Sequence, residues 1–168
     1  KRGEKAGGIR CVPRGERDGG NILRCLEYLD VGTKNGWRFD EVVPAMEVVE
    51  TIGRVWPLEA EPPSYAGEVA ERWRYADGRG EIGVIASVTR PFCGDCTRAR
   101  LSAEGQLYTC LFSAIGHDLR DPMRAGMSDP ELAALVTGVW AGRDDRYSER
   151  RAAETGHLPK IEMFALGG

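Results

Sequence analysis

Apolar and polar positions fall into three successive patterns along the chain. Residues Ile22 to Leu29 form a mostly apolar run ending in Asp30-Val31-Gly32, which predicts a buried strand running into a loop. Polar residues at the end of such a strand are where α/β folds place ligand contacts. Next, Val43, Met46, Val49 and Ile52 share one helical face, so a helix is expected over 41–55, with Asp40 as its cap and Pro44 in its first turn. Residues 57–67 read as a proline-bearing connection.

From Trp73 onward the pattern shortens to strands. Residues 72–75, the turn Asp77-Gly78-Arg79-Gly80 and residues 82–88 predict a hairpin. A second hairpin is expected from Arg98 to Leu101, turning at Glu104-Gly105 and returning through Leu107 to Phe112. Two helices follow, near 119–124 and over 130–140, the latter capped by Ser128 or Asp129 with Leu132, Leu135 and Val136 on one side. Residues 4–21 follow neither period and read as loop or a poorly formed helix. So few parallel units cannot build a whole barrel. The expectation is an α/β chain: the last strand and helix units of an incomplete TIM-type barrel, then an antiparallel α+β extension.

Charge narrows the partners. The 168 residues carry a formal charge of −3 with a pI near 5.5, which argues against a surface built for nucleic acid or anionic lipid. No apolar run approaches the roughly 20 residues of a membrane span, and the start lacks a signal-peptide apolar region. A soluble, cytoplasmic protein without nucleic-acid or membrane partners is expected, in which basic residues act locally.

The five cysteines are Cys11, Cys25, Cys93, Cys96 and Cys110. An odd count does not suggest a disulfide framework. Cys93-Gly94-Asp95-Cys96 is a C-x-x-C, and Cys110 follows after thirteen residues. With the turn centred on Glu104-Gly105, Cys110 is expected opposite Ala99, so the returning strand carries it back toward Cys93 and Cys96. Three converging thiolates suit zinc or an iron–sulfur cluster. One alternative is a closed Cys₃His zinc module with His117 as fourth ligand. The other is a [4Fe–4S] cluster on three cysteines, with one iron open. Arg98 and Arg100, two positions apart on one strand, share a face and are bidentate anion binders, which favours an anionic ligand beside an open metal. Cys11 and Cys25 read as ordinary free thiols, His157 as exposed, and 143–151 as a solvated helix face.

The runs Gly80-Glu81-Ile82-Gly83-Val84-Ile85, Phe92-Cys93-Gly94-Asp95-Cys96-Thr97-Arg98-Ala99-Arg100-Leu101-Ser102, Gly105-Gln106-Leu107-Tyr108-Thr109-Cys110-Leu111-Phe112 and Asp118-Leu119-Arg120 closely resemble the GTP 3′,8-cyclases of molybdenum cofactor biosynthesis. So do Leu23 to Gly32 and the terminal Gly167-Gly168. That family consists of radical S-adenosylmethionine enzymes that convert GTP to 3′,8-cyclo-7,8-dihydro-GTP. Its fold is an incomplete barrel covered by a carboxyl-terminal extension. The resemblance implies that residues 1–35 end the barrel and that 36–168 form the cluster- and GTP-binding extension. It also implies that Cys93, Cys96 and Cys110 hold a [4Fe–4S] cluster whose open iron meets the guanine. Arg98, Ala99, Arg100 and Arg24 would contact GTP, Leu29 would meet S-adenosylmethionine through its backbone, and Gly167 and Gly168 would reach the active site. A further [4Fe–4S] cluster serves S-adenosylmethionine in the family, but its C-x-x-x-C-x-x-C is absent from this sequence, so the chain alone is expected to be inactive. A homodimer and a downstream cyclic pyranopterin monophosphate synthase complete the implied partners. An auxiliary-cluster domain of a peptide-modifying radical enzyme is the remaining alternative; the arginine pair and the Gly-Gly tail argue against it.

Overall fold

The computed structural model describes residues 16–32, 34, 36–154 and 162. Expectations for Cys11, His157, Gly167, Gly168 and most of the 4–21 segment lie outside these; residues 16–19 are helical. The chain divides into two compact units, one formed by the described residues up to Leu29 with Trp37–Phe92, the other by Asp30–Gly36 with the described residues from Cys93 onward.

In the first unit, β1 (Leu23–Leu26), β2 (Leu58–Glu61), β3 (Glu71–Tyr75) and β4 (Glu81–Ile85) form one sheet in the order β1-β4-β3-β2. Only β1 and β4 are parallel, with Cys25 beside Val84; β3 pairs antiparallel with both β4 and β2. The expected first hairpin is present, closed by Gly78 and Gly80, both at positive φ. Alternation along these strands gives the sheet two faces of opposite character. Leu23, Cys25, Leu58, Trp73, Tyr75, Ile82 and Val84 pack with helix α1 (Ala45–Gly53) through Ala45, Val49 and Ile52. The other face carries Arg72 paired with Glu81 at 2.5 Å and Arg74 paired with Glu59 and Glu61 at 2.6 Å each.

Three expectations are corrected here. The helix is split: Phe39–Glu41 is a 3₁₀ turn and α1 starts only at Ala45, because Pro44, extended at ψ 141°, serves as its N-cap rather than lying in its first turn. The stretch after Pro57 contains β2, whose Leu-Glu-Ala-Glu alternation was masked by the prolines around it. And β1 is shorter than the apolar run and lies at the sheet's edge, its residues alternating between half-buried and exposed.

The second unit holds a three-stranded antiparallel sheet in the order β5 (Arg100–Leu101), β6 (Gln106–Tyr108), β7 (His117–Asp118). It also contains α2 (Arg120–Arg124), α3 (Asp129–Ala141) and α4 (Tyr147–Glu154). Helix α3 begins where Ser128 predicted it, through a capping box in which Glu131 accepts from the Ser128 amide (2.9 Å) and hydroxyl (2.6 Å). Its stripe of Leu132, Leu135 and Val136 is half-buried, as the helical spacing implied. No described helix is long and apolar enough to cross a membrane.

Candidate metal and anion site

Cys93 opens a single 3₁₀ turn, Cys93–Asp95, closed by the Cys96 amide on the Cys93 carbonyl at 3.3 Å. Cys110 follows β6, and its carbonyl accepts from Ser113 at 3.3 Å. All three are half-buried free thiols. They stand close enough to feel one another: burial pushes the Cys110 thiol up, the Phe112 amide opposes this, and Asp145, Cys93 and Cys96 raise it further.

The hairpin register differs from the expected one by a single residue. Arg100 pairs with Tyr108 and Leu101 with Leu107. The ladder stops at Arg100 and Tyr108; Cys110 lies in a bend beyond β6 and Arg98 before β5, so Cys110 is paired with neither Ala99 nor Arg98. The slip matters because side-chain direction alternates. Within the ladder the observed register sets Arg100 and Tyr108 on one face and Leu101 and Leu107 on the other. The cause is the turn: Ser102 closes on Gln106 at 2.9 Å, with Gly105 at φ +77 inside the loop, so its centre falls on Glu104 alone. His117 pairs with Leu107, so it lies on the sheet face opposite Arg100 and Tyr108. Among the described residues, no group of three or more His, Cys, Asp and Glu is arranged to hold a single metal ion.

Cations surround the sulfurs. The Arg98 Nη2 donates to Cys96 Sγ at 3.5 Å, and the Arg143 guanidinium donates to the Cys96 carbonyl while lying 3.7 Å over the Trp140 ring. Burial pushes the Cys96 thiol up, but the Arg98 amide and side chain and the charges of Arg98 and Arg143 outweigh it, leaving it below its ordinary value. Arg100 is half-buried, and burial followed by repulsion from Arg98 holds its guanidinium below the usual range despite Cys110 and Cys96. A cation desolvated beside another is poised for an anion. Arg98 and Ala99 are exposed. A cavity of about 430 Å³ opens in the same unit between Thr109, His117, Gly142, Arg143 and Asp145.

Arg24 and Leu29 belong to the first unit. The Arg24 side chain lies across Gly83, where a Cβ would collide with its guanidinium, so the glycine is what lets it rest on the sheet. Leu29 is half-buried just beyond β1. Cys25 packs against the core there, and burial alone raises its thiol, as expected of a structural cysteine.

Sequence reasoning missed several residues. Glu27 is buried and accepts from the amides of Ala45, Val88 and Thr89 and from the Thr89 hydroxyl. In the second unit, Asp30 pairs with Arg151 at 2.7 Å and accepts from the Tyr147 hydroxyl at 2.8 Å. The 143–151 stretch is therefore not simply a solvated face, since Arg151 is buried. The run Arg-Tyr-Ser-Glu-Arg-Arg conceals this, because one inward arginine among outward ones leaves no periodic mark.

Comparison with known proteins follows the same residues. The family described as Molybdenum Cofactor Synthesis C matches 21–149. A GTP 3′,8-cyclase of Acidothermus cellulolyticus is 50% identical over 159 residues, covering 92% of this chain and 44% of that protein. Those of Parasynechococcus marenigrum and Xanthomonas axonopodis pv. citri are each 49% identical over 152 residues, covering 90% of this chain and 43% and 45% of their own lengths. The chain thus spans less than half the length of these relatives. It belongs to the Molybdenum Cofactor Synthesis C family.

Proposed function

We propose that this chain is the substrate-side, carboxyl-terminal part of a cytoplasmic GTP 3′,8-cyclase, acting in molybdenum cofactor biosynthesis upstream of cyclic pyranopterin monophosphate synthase. The observation that carries the reading is the cationic setting of the thiols: the Arg98 guanidinium donates to Cys96 Sγ at 3.5 Å, and Arg100 opens β5, whose partner strand β6 leads into Cys110. The donor set is all cysteine, with Cys96 Sγ already accepting from the Arg98 side chain, a setting that stabilises thiolate charge. Cys93, Cys96 and Cys110 would hold a [4Fe–4S] cluster, which when bound supplies one iron not claimed by cysteine. His117, on the sheet face opposite Arg100, speaks against a closed zinc site.

The chain's own residues have distinct tasks in this reading. Arg98 and Arg100 bind and orient the GTP phosphates, with Ala99 between them admitting close approach of the backbone. Arg24, at the end part of a last barrel strand, adds a further phosphate contact. Leu29 meets S-adenosylmethionine through its backbone, and Gly167 and Gly168 reach toward the substrate. None of the five cysteines forms C-x-x-x-C-x-x-C, so radical generation, with its own [4Fe–4S] cluster and S-adenosylmethionine, falls to residues outside this sequence.

The test is titration of GTP and guanosine against wild type, Arg98→Ala and Arg100→Ala at equal cluster content. A charge-assisted hydrogen bond contributes roughly 1.5–3 kcal/mol, so each change is expected to weaken GTP by about tenfold or more. Guanosine, without phosphates, is expected to be much less sensitive. Equal weakening of both ligands refutes the phosphate assignment.

A further inference from the structure

The C-x-x-C turn is gripped from outside its own hairpin. Within the turn, the Cys96 amide donates to the Cys93 carbonyl at 3.3 Å. The Cys96 carbonyl, on the other side of the same residue, accepts from the Arg143 guanidinium, 47 positions along the chain. Cys96 is thus tied at both of its peptide groups, which fixes its backbone and with it the rotamers open to its side chain.

The donor is itself held. Arg143 directly follows Gly142, the C-cap of α3, and its guanidinium lies 3.7 Å over the ring of Trp140 in the last turn of that helix. A flat guanidinium on an indole face keeps its plane while its edge donates, and a cation at a helix C-terminus meets the negative end of the dipole. The far end of α3 is fixed by the Ser128–Glu131 capping box. The segment beyond α3 meets the same turn a second time. A Cβ at Gly94 would stand 4.0 Å from the Arg146 guanidinium, which pairs with Glu149 at 3.2 Å, and α4 packs against Cys93–Asp95.

The geometry points to Arg143 as a positioning residue for the C-x-x-C turn, carrying the rigidity of α3 through the Trp140 ring to the Cys96 carbonyl. The inference rests on the reading of Cys93 and Cys96 as cluster ligands. Two thiolates that serve one cluster need a fixed separation, and the 3.3 Å amide bond between their residues is long for N–H···O. The charge-assisted bond from Arg143 is the stronger of the two ties on Cys96.

The test compares wild type, Arg143→Met, Trp140→Leu and the double variant after anaerobic reconstitution of the full chain with iron and sulfide. Arg143→Met keeps an unbranched stem and loses the donor; Trp140→Leu leaves the donor without its support. Iron release to a ferrous-iron chelator, the electron paramagnetic resonance spectrum of the reduced cluster and the melting temperature are read on each. Arg143→Met is expected to release iron about tenfold faster or more, the equivalent of one charge-assisted hydrogen bond, with a changed spectrum. Trp140→Leu should move both readings the same way and less far. The double variant should go no further than Arg143→Met, because the ring acts through the guanidinium. A residue that serves the fold alone lowers the melting temperature and leaves release and spectrum at wild-type values; that outcome overturns the inference, as does a double variant whose effect is the sum of the single ones. Should Arg143→Met take up no cluster, Trp140→Leu decides alone, and wild-type release from it is equally fatal. Wild-type protein that takes up no cluster refutes the underlying function as well, so the two failures are told apart.

Discussion

Replacing Glu27 by glutamine changes one atom of charge and one of hydrogen-bonding sense at a site that tolerates neither. Its Oε1 accepts from the Ala45 amide (2.8 Å) and the Thr89 hydroxyl (2.5 Å), and its Oε2 from the amides of Val88 (2.7 Å) and Thr89 (2.9 Å). Ala45 is the first residue of α1, where a negative group also meets the positive end of the helix. An amide nitrogen at the Oε2 position would face two N–H groups. At the Oε1 position the Thr89 hydroxyl can rotate to accept, but the Ala45 N–H is orphaned. The second arrangement is the cheaper one. It costs about 1–3 kcal/mol for the orphaned donor and about 1 kcal/mol for each of the two amide bonds that lose their charged acceptor. A destabilisation of about 3–5 kcal/mol is expected, scarcely screened because the residue is 5% exposed. Urea unfolding followed by Trp73 and Trp56 fluorescence in the first unit measures it, with Glu27→Ala as a second variant expected to be at least as severe. A loss below about 1 kcal/mol would show that water replaces the carboxylate without difficulty, and the reasoning would fail.

Further outcomes follow from single residues. Hydrogen bonds from the Ser128 hydroxyl and amide hold the Glu131 carboxyl below its usual range; a depressed folded pKa means the stabilisation is present above the unfolded value and lost as pH falls through the folded one. Amide protection at the start of α3, measured against the intrinsic exchange rate, should therefore fall as pH drops below the ordinary glutamate range, and Glu131→Gln should flatten that profile; an identical profile in both contradicts the capping box. Gly32 has φ +66, and a Cβ there would strike the Glu162 carboxylate, so Gly32→Ala is expected to cost about 1 kcal/mol or more in thermal unfolding. Glu162→Ala in the same chain should recover only the steric part, and full recovery would show that the backbone conformation costs nothing.

Much of this was legible in the sequence where a local rule sufficed. Ser128 or Asp129 announced a helix start, Asp77 to Gly80 a hairpin, and Cys93, Cys96 and Cys110 a thiol site with arginines beside it. Prolines hide two features: Pro44, extended at ψ 141°, caps the helix instead of entering it, and β2, flanked by Pro57 and Pro62, is fixed by tertiary pairing with β3. The register differs by one residue and both strands are shorter than expected, so Cys110 falls beyond the ladder, where alternation no longer fixes its direction. Asp30 and Glu27 were invisible for a different reason. A buried carboxylate is defined by partners far along the chain, and nothing adjacent to Asp30 foretells Arg151.

The central claim is that Cys93, Cys96 and Cys110 together bind iron and sulfide. Anaerobic reconstitution, followed by iron, sulfide and zinc analysis and by electron paramagnetic resonance of the reduced protein, tests it most directly. The account predicts a brown protein with one [4Fe–4S] cluster, lost in Cys93→Ser, Cys96→Ser or Cys110→Ser and retained in Cys25→Ser. A colourless protein that holds one zinc, and releases it in His117→Ala, would contradict it.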